Sequence, residues 1–182
     1  MSSDRPIEDL SQPAEPALTD PALADLIRER GEPLLEGLEA HLPGSTERAD
    51  ATGAYALATA VGLGFARTEA ELCRQTARLA DIGKIYSASE PGEPGARLAS
   101  GAGIPEVACD WLLGVSEHYD GSGPAGLSGA DIPVFSRIIR ASKRCDELIT
   151  EGSAPSALRT LAGTELDPAM VDALASMLER AG

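Results

Sequence analysis

His118-Tyr119-Asp120-Gly121-Ser122-Gly123-Pro124-Ala125-Gly126-Leu127 is the stretch on which the reading of this chain turns. An apolar pattern of helical period runs into it, through Ile104, Val107, Ala108, Trp111, Leu112 and Val115. A second runs out of it, through Phe135, Ile138, Ser142, Cys145 and Ile149. Glycine accepts backbone angles that other residues resist, and Pro124 has no N–H to give, so neither helix can continue through the segment. A tight loop between two core helices is a natural pocket floor or partner contact. Clusters of this kind are also common as plain turns, so the rest of the chain has to decide.

Outward from the loop, every periodic segment is helical. Asp20-Pro21 offers a carboxylate cap and a proline at the first helical position, predicting a helix to about Arg30. Glu32-Pro33 predicts another, ending near Pro43-Gly44. Ser45-Thr46-Glu47-Arg48 starts a longer one with an inner face of Ala51, Ala54, Tyr55, Ala58 and Val61, stopped by Gly62 and Gly64. Thr68 and Glu71 have the spacing of a capping box for a helix whose inner side is Leu72, Cys73, Thr76, Leu79 and Ala80. Residues 87–95 read as a loop, and a short helix follows at Gly95–Ser100. Ile132-Pro133 opens a helix to about Thr150, and shorter helices close the chain near 153–162 and 168–181. No strand pair is convincing, so the fold class is all-α.

The totals agree. The chain has 182 residues, 43% of them hydrophobic but only 3% aromatic, enough for one helical domain with a core. Residues 1–19, polar with Pro6, Pro13 and Pro16, read as a disordered lead. Residues 20–182 form the domain, with N-terminal helices over 20–44 and a core over 45–182. The first fifty residues hold 12 acids and 4 bases, so −8 of the net charge of −14 lies there. An acidic chain lacks the basic footprint that nucleic acid needs; solubility is the plain reason for the charge. Cys73, Cys109 and Cys145 have no CxxC spacing and fall on apolar faces, as buried free thiols of a reducing cytoplasm do. They are evenly spaced, but their flanks are unlike, so no repeat is read. No early apolar run follows a basic start, and none reaches the roughly 18 residues of a membrane span, so a cytoplasmic protein without a leader is expected.

Three fragments resemble the HD-GYP family of metal-dependent phosphohydrolases. Leu79-Ala80-Asp81-Ile82-Gly83-Lys84-Ile85 is similar to the family's L-H-D-I-G-K-I. Glu117-His118-Tyr119-Asp120-Gly121-Ser122-Gly123, with Gly126-Leu127-Ser128-Gly129-Ala130-Asp131-Ile132-Pro133, resembles H-H-E-R-W-D-G-S-G-Y-P-x-G-L-x-G-x-x-I-P. Ser136-Arg137-Ile138-Ile139 through Asp146-Glu147-Leu148, then Gly163-Thr164-Glu165-Leu166-Asp167-Pro168, resembles A-R-I-x-x-V-A-D-x-x-D-A-L and G-T-x-F-D-P. The resemblance covers about residues 45–180 and implies an HD-type helical bundle, cyclic di-GMP as substrate, iron or manganese as cofactor and a possible homodimer.

The ligands that such metals need are mostly missing. The family's first histidine falls on or near Ser45, the histidine of the His-Asp pair on Ala80, and a later one near Glu90 or Pro91. Its two adjacent histidines fall on Val115 and Ser116, and its last aspartate on Lys143, leaving Asp81 alone. His118 stands where the family has arginine, and the tyrosine of Gly-Tyr-Pro is absent, because Gly123 meets Pro124 directly. Alanine and valine have no lone pair for a metal, and an ammonium among the ligands repels a divalent ion by several kcal/mol. Lys143 is therefore expected either to pair with Asp81 in the metal's place or to pair along its own helix with Asp146 or Glu147.

No bound metal is expected, and the leading reading is a catalytically inactive signalling or regulatory module that works through protein partners. The alternatives are a non-hydrolysing binder of cyclic di-GMP or another nucleotide, and a residual phosphodiesterase using Asp81, Glu117, Asp120 and His118. A binder would use Lys84, Arg137 and the N–H groups of Gly121, Ser122 and Gly123. Each of these side chains has a plainer role: Lys84 pairing with Asp81, Arg137 bracing a helix end, Asp120 capping its own loop, Trp111 in the core.

Overall fold

The structure, a computed structural model, describes residues 16–89, 91–153 and 156–181; the expected disordered lead lies outside these up to residue 15, and so does Glu90. Among the described residues there are eight α-helices and no strand, only an isolated bridge between Ala162 and Leu166. The helices are α1 (Pro21–His41), α2 (Ser45–Gly62), α3 (Arg67–Arg78), α4 (Gly92–Gly101), α5 (Glu106–Gly114), α6 (Val134–Thr150), α7 (Ser156–Arg159) and α8 (Pro168–Ala181). A 3₁₀ turn, Pro16–Thr19, precedes α1 and lays Leu18 against the core. A second 3₁₀ turn, Ile82–Ile85, joins α3 to α4.

One helix, α1, replaces the two expected over 20–44. Ala24, Ile27, Gly31, Leu35 and Leu38 form one buried stripe that runs past Pro33, which sits on the exposed side. The stripe holds the helix straight through the residue that the sequence marks as a break. Asp20 caps it as expected, accepting the Ala22 N–H at 2.9 Å.

The inner face of α2 is Ala49, Thr52, Gly53, Ala56, Thr59 and Ala60; Ala54 and Val61 point outward instead. In a helix so rich in alanine, hydrophobicity does not single out a face, and small size does. Those small residues let α2 press on α3. The cap of α3 is also displaced: Glu69, not Glu71, returns to the helix start, accepting the Ala66 N–H at 2.9 Å, while Glu71 pairs with Arg74 and Gln75. On α6, Leu148 is buried and Ile149 is exposed. Helix α4 starts three residues earlier than expected and takes Pro94 into its first turn, where its missing N–H is harmless.

The core is one contiguous cluster to which all eight helices contribute. Ile27, Leu38, Ile138, Ile139 and Leu174 are fully enclosed, each stabilising the fold by about 1.5–3 kcal/mol. Trp111 lies in it with its ring 4.4 Å from Phe135. All three cysteines are free and buried, and burial raises their thiols above the ordinary range, that of Cys145 to about 11.

Candidate functional site

Two loops and α6 meet around a cavity of about 550 Å³, lined among others by Ser116, His118, Ser122, Gly123, Arg140, Lys143, Arg144, Glu147 and Glu165. Its floor is the glycine loop. Glu117 is buried, and its two carboxylate oxygens accept the N–H groups of Ala125 at 2.8 Å and Leu127 at 3.1 Å. At Gly123 an added Cβ would lie 2.7 Å from both the Glu117 Cα and the His118 nitrogen, backbone that cannot move aside. Asp120 accepts the Ser122 N–H at 2.9 Å, and His118 Nδ1 lies 2.9 Å from the Ser122 hydroxyl. The Ser122 side-chain and backbone hydrogen bonds hold the exposed Asp120 carboxyl below its usual range. The 163–167 turn fixes the loop from outside, since the N–H groups of Tyr119 and Asp120 donate to the carbonyls of Glu165 and Thr164 at 3.2 and 2.9 Å.

The opposite wall is a chain of charges. Lys143 Nζ lies 2.8 Å from Glu147 and 3.2 Å from Asp81 Oδ1, the latter as an ion pair outside hydrogen-bond alignment, which leaves that buried oxygen without a hydrogen bond. Lys84 donates to the other Asp81 oxygen at 2.7 Å. Arg144 bonds Glu147 at 3.1 Å and approaches Glu165 at 3.7 Å; Arg140 bonds Glu165 at 2.9 Å and the Val115 carbonyl at 2.8 Å. Four cations thus share three carboxylates in a chain whose net charge is −14. Burial lowers the Lys143 ammonium pKa, but Asp81 and Glu147 outweigh that and carry it above its ordinary value. Burial likewise raises the Glu147 carboxyl, and Lys143 with Arg144 reverses the sign. Arg140 moves the other way, lowered by burial that Glu165 and Glu147 offset only in part.

Of the three partners expected for Lys143, Asp81 and Glu147 are met at once; Asp146 is not, for it is buried against Arg48 at 3.0 Å. Arg137 does not reach the cavity. It is 7% exposed, donates to Asp167 at 2.6 Å and to the Ile132 carbonyl at 3.0 Å, and so braces α6 against the start of α8. Lys84 is spent on Asp81. The cations that line the cavity are Arg140, Lys143 and Arg144, of which the sequence had singled out only Lys143. Their spacing of three and four residues along α6, beside the inward set of Ile138, Ser142 and Cys145, was the available signal.

The residues do not fit a di-metal centre. Ser45 is buried and gives its hydroxyl to the Leu42 carbonyl, Ala80 and Val115 are buried apolar side chains, and Ser116 offers one hydroxyl. Glu117 is consumed by the glycine loop and Asp120 by its own turn. Among the described residues no three His, Cys, Asp or Glu side chains converge as metal ligands would, so the set Asp81, Glu117, Asp120 and His118 is not assembled.

No known family profile matches the chain, and no curated protein matches it in sequence. Solved structures do. An HDG"Y"P protein from Bdellovibrio bacteriovorus superposes with a TM-score of 0.69 at 14% identity, over 94% of this chain and 76% of that one. A cyclic GMP-AMP specific phosphodiesterase of V. cholerae gives 0.65 at 19%, over 88% of this chain. The HD domain of the L. monocytogenes phosphodiesterase PgpH, in complex with cyclic-di-AMP, gives 0.60 at 16%, over 82% of this chain and 97% of that domain. The fold is the all-α, HD-type fold of these structures. The chain spans about half the V. cholerae enzyme, 49% of its length. The cavity lies between Ser89 and Pro91, the end of α5, the glycine loop, α6 and Glu165, and no helix among the described residues is long and apolar enough to cross a membrane.

Proposed function

We propose that this domain is a non-catalytic regulatory module in which a fixed ammonium occupies the place that the HD-GYP resemblance assigns to a metal. The observation that carries the reading is Lys143 Nζ, 3.2 Å from Asp81 and 2.8 Å from Glu147. A cation already neutralises the only carboxylate left from the His-Asp pair, and Lys84 holds its second oxygen. A divalent ion entering beside Asp81 would meet two ammonium groups, an arrangement that disfavours binding by several kcal/mol. Without a metal to activate a water, the site keeps its shape and lacks that means of hydrolysis. Such a domain acts through what it binds, in the reducing interior that its three free thiols suit.

The test combines elemental analysis of protein incubated with excess Mn²⁺ and Fe²⁺, then desalted, with a cyclic di-GMP hydrolysis assay. Substoichiometric metal and no turnover are expected; two tightly held ions with turnover overturn the reading.

A second reading is favoured by the cavity itself: Arg140, Lys143 and Arg144 face His118 and Ser122 across it. That wall suits a phosphodiester anion held without cleavage, and two of the fold relatives carry cyclic GMP-AMP and cyclic-di-AMP in their names. Calorimetry with cyclic di-GMP, cyclic GMP-AMP and cyclic-di-AMP separates a sensor from a module that contacts proteins alone. Heat of binding that Arg144→Glu abolishes supports the sensor; no heat with any of the three leaves the protein-contact module.

A further inference from the structure

Ser122 lies in the glycine loop with its hydroxyl in reach of solvent and of the cavity. The backbone on either side of it is fixed. Gly121 has φ +86°, an angle that favours glycine, and Gly123 has no room for a Cβ against the Glu117 and His118 backbone. The His118 carbonyl accepts the Gly121 N–H at 3.0 Å, and the Tyr119 carbonyl accepts that of Gly129 at 2.9 Å. Two flanking glycines leave the hydroxyl uncrowded by neighbouring side chains, as a serine nucleophile on a tight turn requires.

A serine hydroxyl is a weak nucleophile until a base stands within hydrogen-bond reach. His118 Nδ1 lies 2.9 Å from Ser122 Oγ. An imidazole is the side chain best suited to take a proton near neutral pH, and with its own proton on Nε2 it accepts the hydroxyl proton at Nδ1. Asp120 flanks the pair. Its carboxylate accepts from the Ser122 side chain and N–H, and its charge attracts that of a protonated His118. The electrophile is chosen by the opposite wall. Arg140, Lys143 and Arg144 line the same cavity, and the buried Arg140 Nε makes no hydrogen bond. Three cations favour a group that carries negative charge on several oxygens and gains more as it reacts, which describes a phosphoryl group.

We propose that Ser122 is a phosphoryl-acceptor site, with His118 as its base and a phosphate bearing a good leaving group, of the acyl phosphate class, as the donor. Ser122 Oγ attacks phosphorus and forms the new O–P bond. The bond from phosphorus to the acyl oxygen breaks, the carboxylate leaves with that electron pair, and the hydroxyl proton passes to His118 Nδ1. The product is a phosphoserine on the cavity floor. Its anion competes with Glu147 and Glu165 for Lys143, Arg144 and Arg140, so the cavity is filled covalently. One transfer per chain is a modification rather than a turnover, and it goes beyond the non-catalytic reading without depending on nucleotide binding.

The test treats the full chain with acetyl phosphate in a chelating buffer and maps phosphoserine by tandem mass spectrometry. Diisopropyl fluorophosphate, an uncharged reagent, measures hydroxyl reactivity separately. Ser128, exposed in the same loop, is the internal reference. Ser122 is expected to react with both reagents at least about tenfold faster than Ser128. His118→Asn keeps a hydrogen-bonding group without the base and should slow Ser122 about a hundredfold, and added imidazole should partly rescue His118→Ala. Arg144→Glu should slow acetyl phosphate more than the fluorophosphate. Circular dichroism confirms folding of each variant. Reaction at Ser122 no faster than at Ser128 overturns the proposal, and so does a rate that His118→Asn leaves unchanged. Fluorophosphate labelling with no phosphoserine from acetyl phosphate overturns it as well, because the donor class is then wrong.

Discussion

Two ion pairs built from the same helix show how differently α6 uses its charges. Arg137 and Asp167 are 7% and 5% exposed, 2.6 Å apart, and each makes a further hydrogen bond: Arg137 to the Ile132 carbonyl, and Asp167 from the Ala169 N–H at the start of α8. Lys143 and Asp81 are 20% and 23% exposed, 3.2 Å apart, and each has a second partner of opposite charge. The first pair is enclosed, so losing either member strands a charge away from water. The second belongs to a redundant chain on the wall of a cavity, where water and neighbouring ions take up the loss. In this chain the enclosed pair thus belongs to the scaffold, and the Lys143–Asp81 pair belongs to the cavity wall.

The comparison is easiest to break at its strong end. Asp167→Ala strands Arg137 and removes the α8 cap together, and should cost about 3–5 kcal/mol in urea denaturation. A loss under about 1 kcal/mol would mean that the pair is no more than a surface bridge. Next in size is Glu117→Gln. The carboxamide has one oxygen for two backbone donors, so either Ala125 or Leu127 loses its acceptor, at about 1–3 kcal/mol. Hydrogen exchange should rise at those two amides before it rises in the helices. At the weak end, Lys143→Met leaves Lys84 on Asp81 and Arg144 on Glu147, and should change stability by less than about 1 kcal/mol. If Lys143→Met costs as much as Asp167→Ala, the distinction between scaffold and wall collapses.

The enclosed parts were legible in the sequence to the extent that periodicity reports burial. The stripes of α3, α5 and most of α6 read correctly because leucine, isoleucine, tryptophan and cysteine contrast with their neighbours. The stripe of α2 did not, because alanine, threonine and glycine carry little contrast, and closeness of helix approach chose the face. Pro33 misled for the opposite reason: a strong local signal was overruled by a buried stripe on either side of it. At the site, Asp81, Lys84 and Lys143 were found by position, and the pairing of Asp81 with Lys84 follows from their spacing on one turn. Arg140, Arg144 and Glu165 were passed over because their meeting depends on how the 163–167 turn docks on the glycine loop, a long-range contact with no local pattern. Arg137 was offered to a ligand on resemblance; what separates it from Arg140 is the depth at which each leaves α6, and depth is settled only by packing.

The smallest effect concerns pH, and it sharpens the weak end of the comparison. Glu147 titrates below its ordinary 4.5 in the folded chain, so the stability it contributes is present above pH 4.5 and is lost as pH falls through the lower folded value. Lys143 titrates above its ordinary 10.5, so its contribution is present below pH 10.5 and fades as pH rises through the higher folded value. Between those limits the pair should contribute a flat term to Tm. In Lys143→Met the alkaline limb disappears. The acid limb persists but weakens, because Arg144 still holds Glu147 while the nearer cation is gone. The differences should be about 2 °C in thermal melts followed by circular dichroism, the scale of less than 1 kcal/mol in a domain of this size. Identical pH profiles for wild type and variant would mean that the Lys143 charge is not coupled to Glu147, and the wall would then be a row of separate solvated groups.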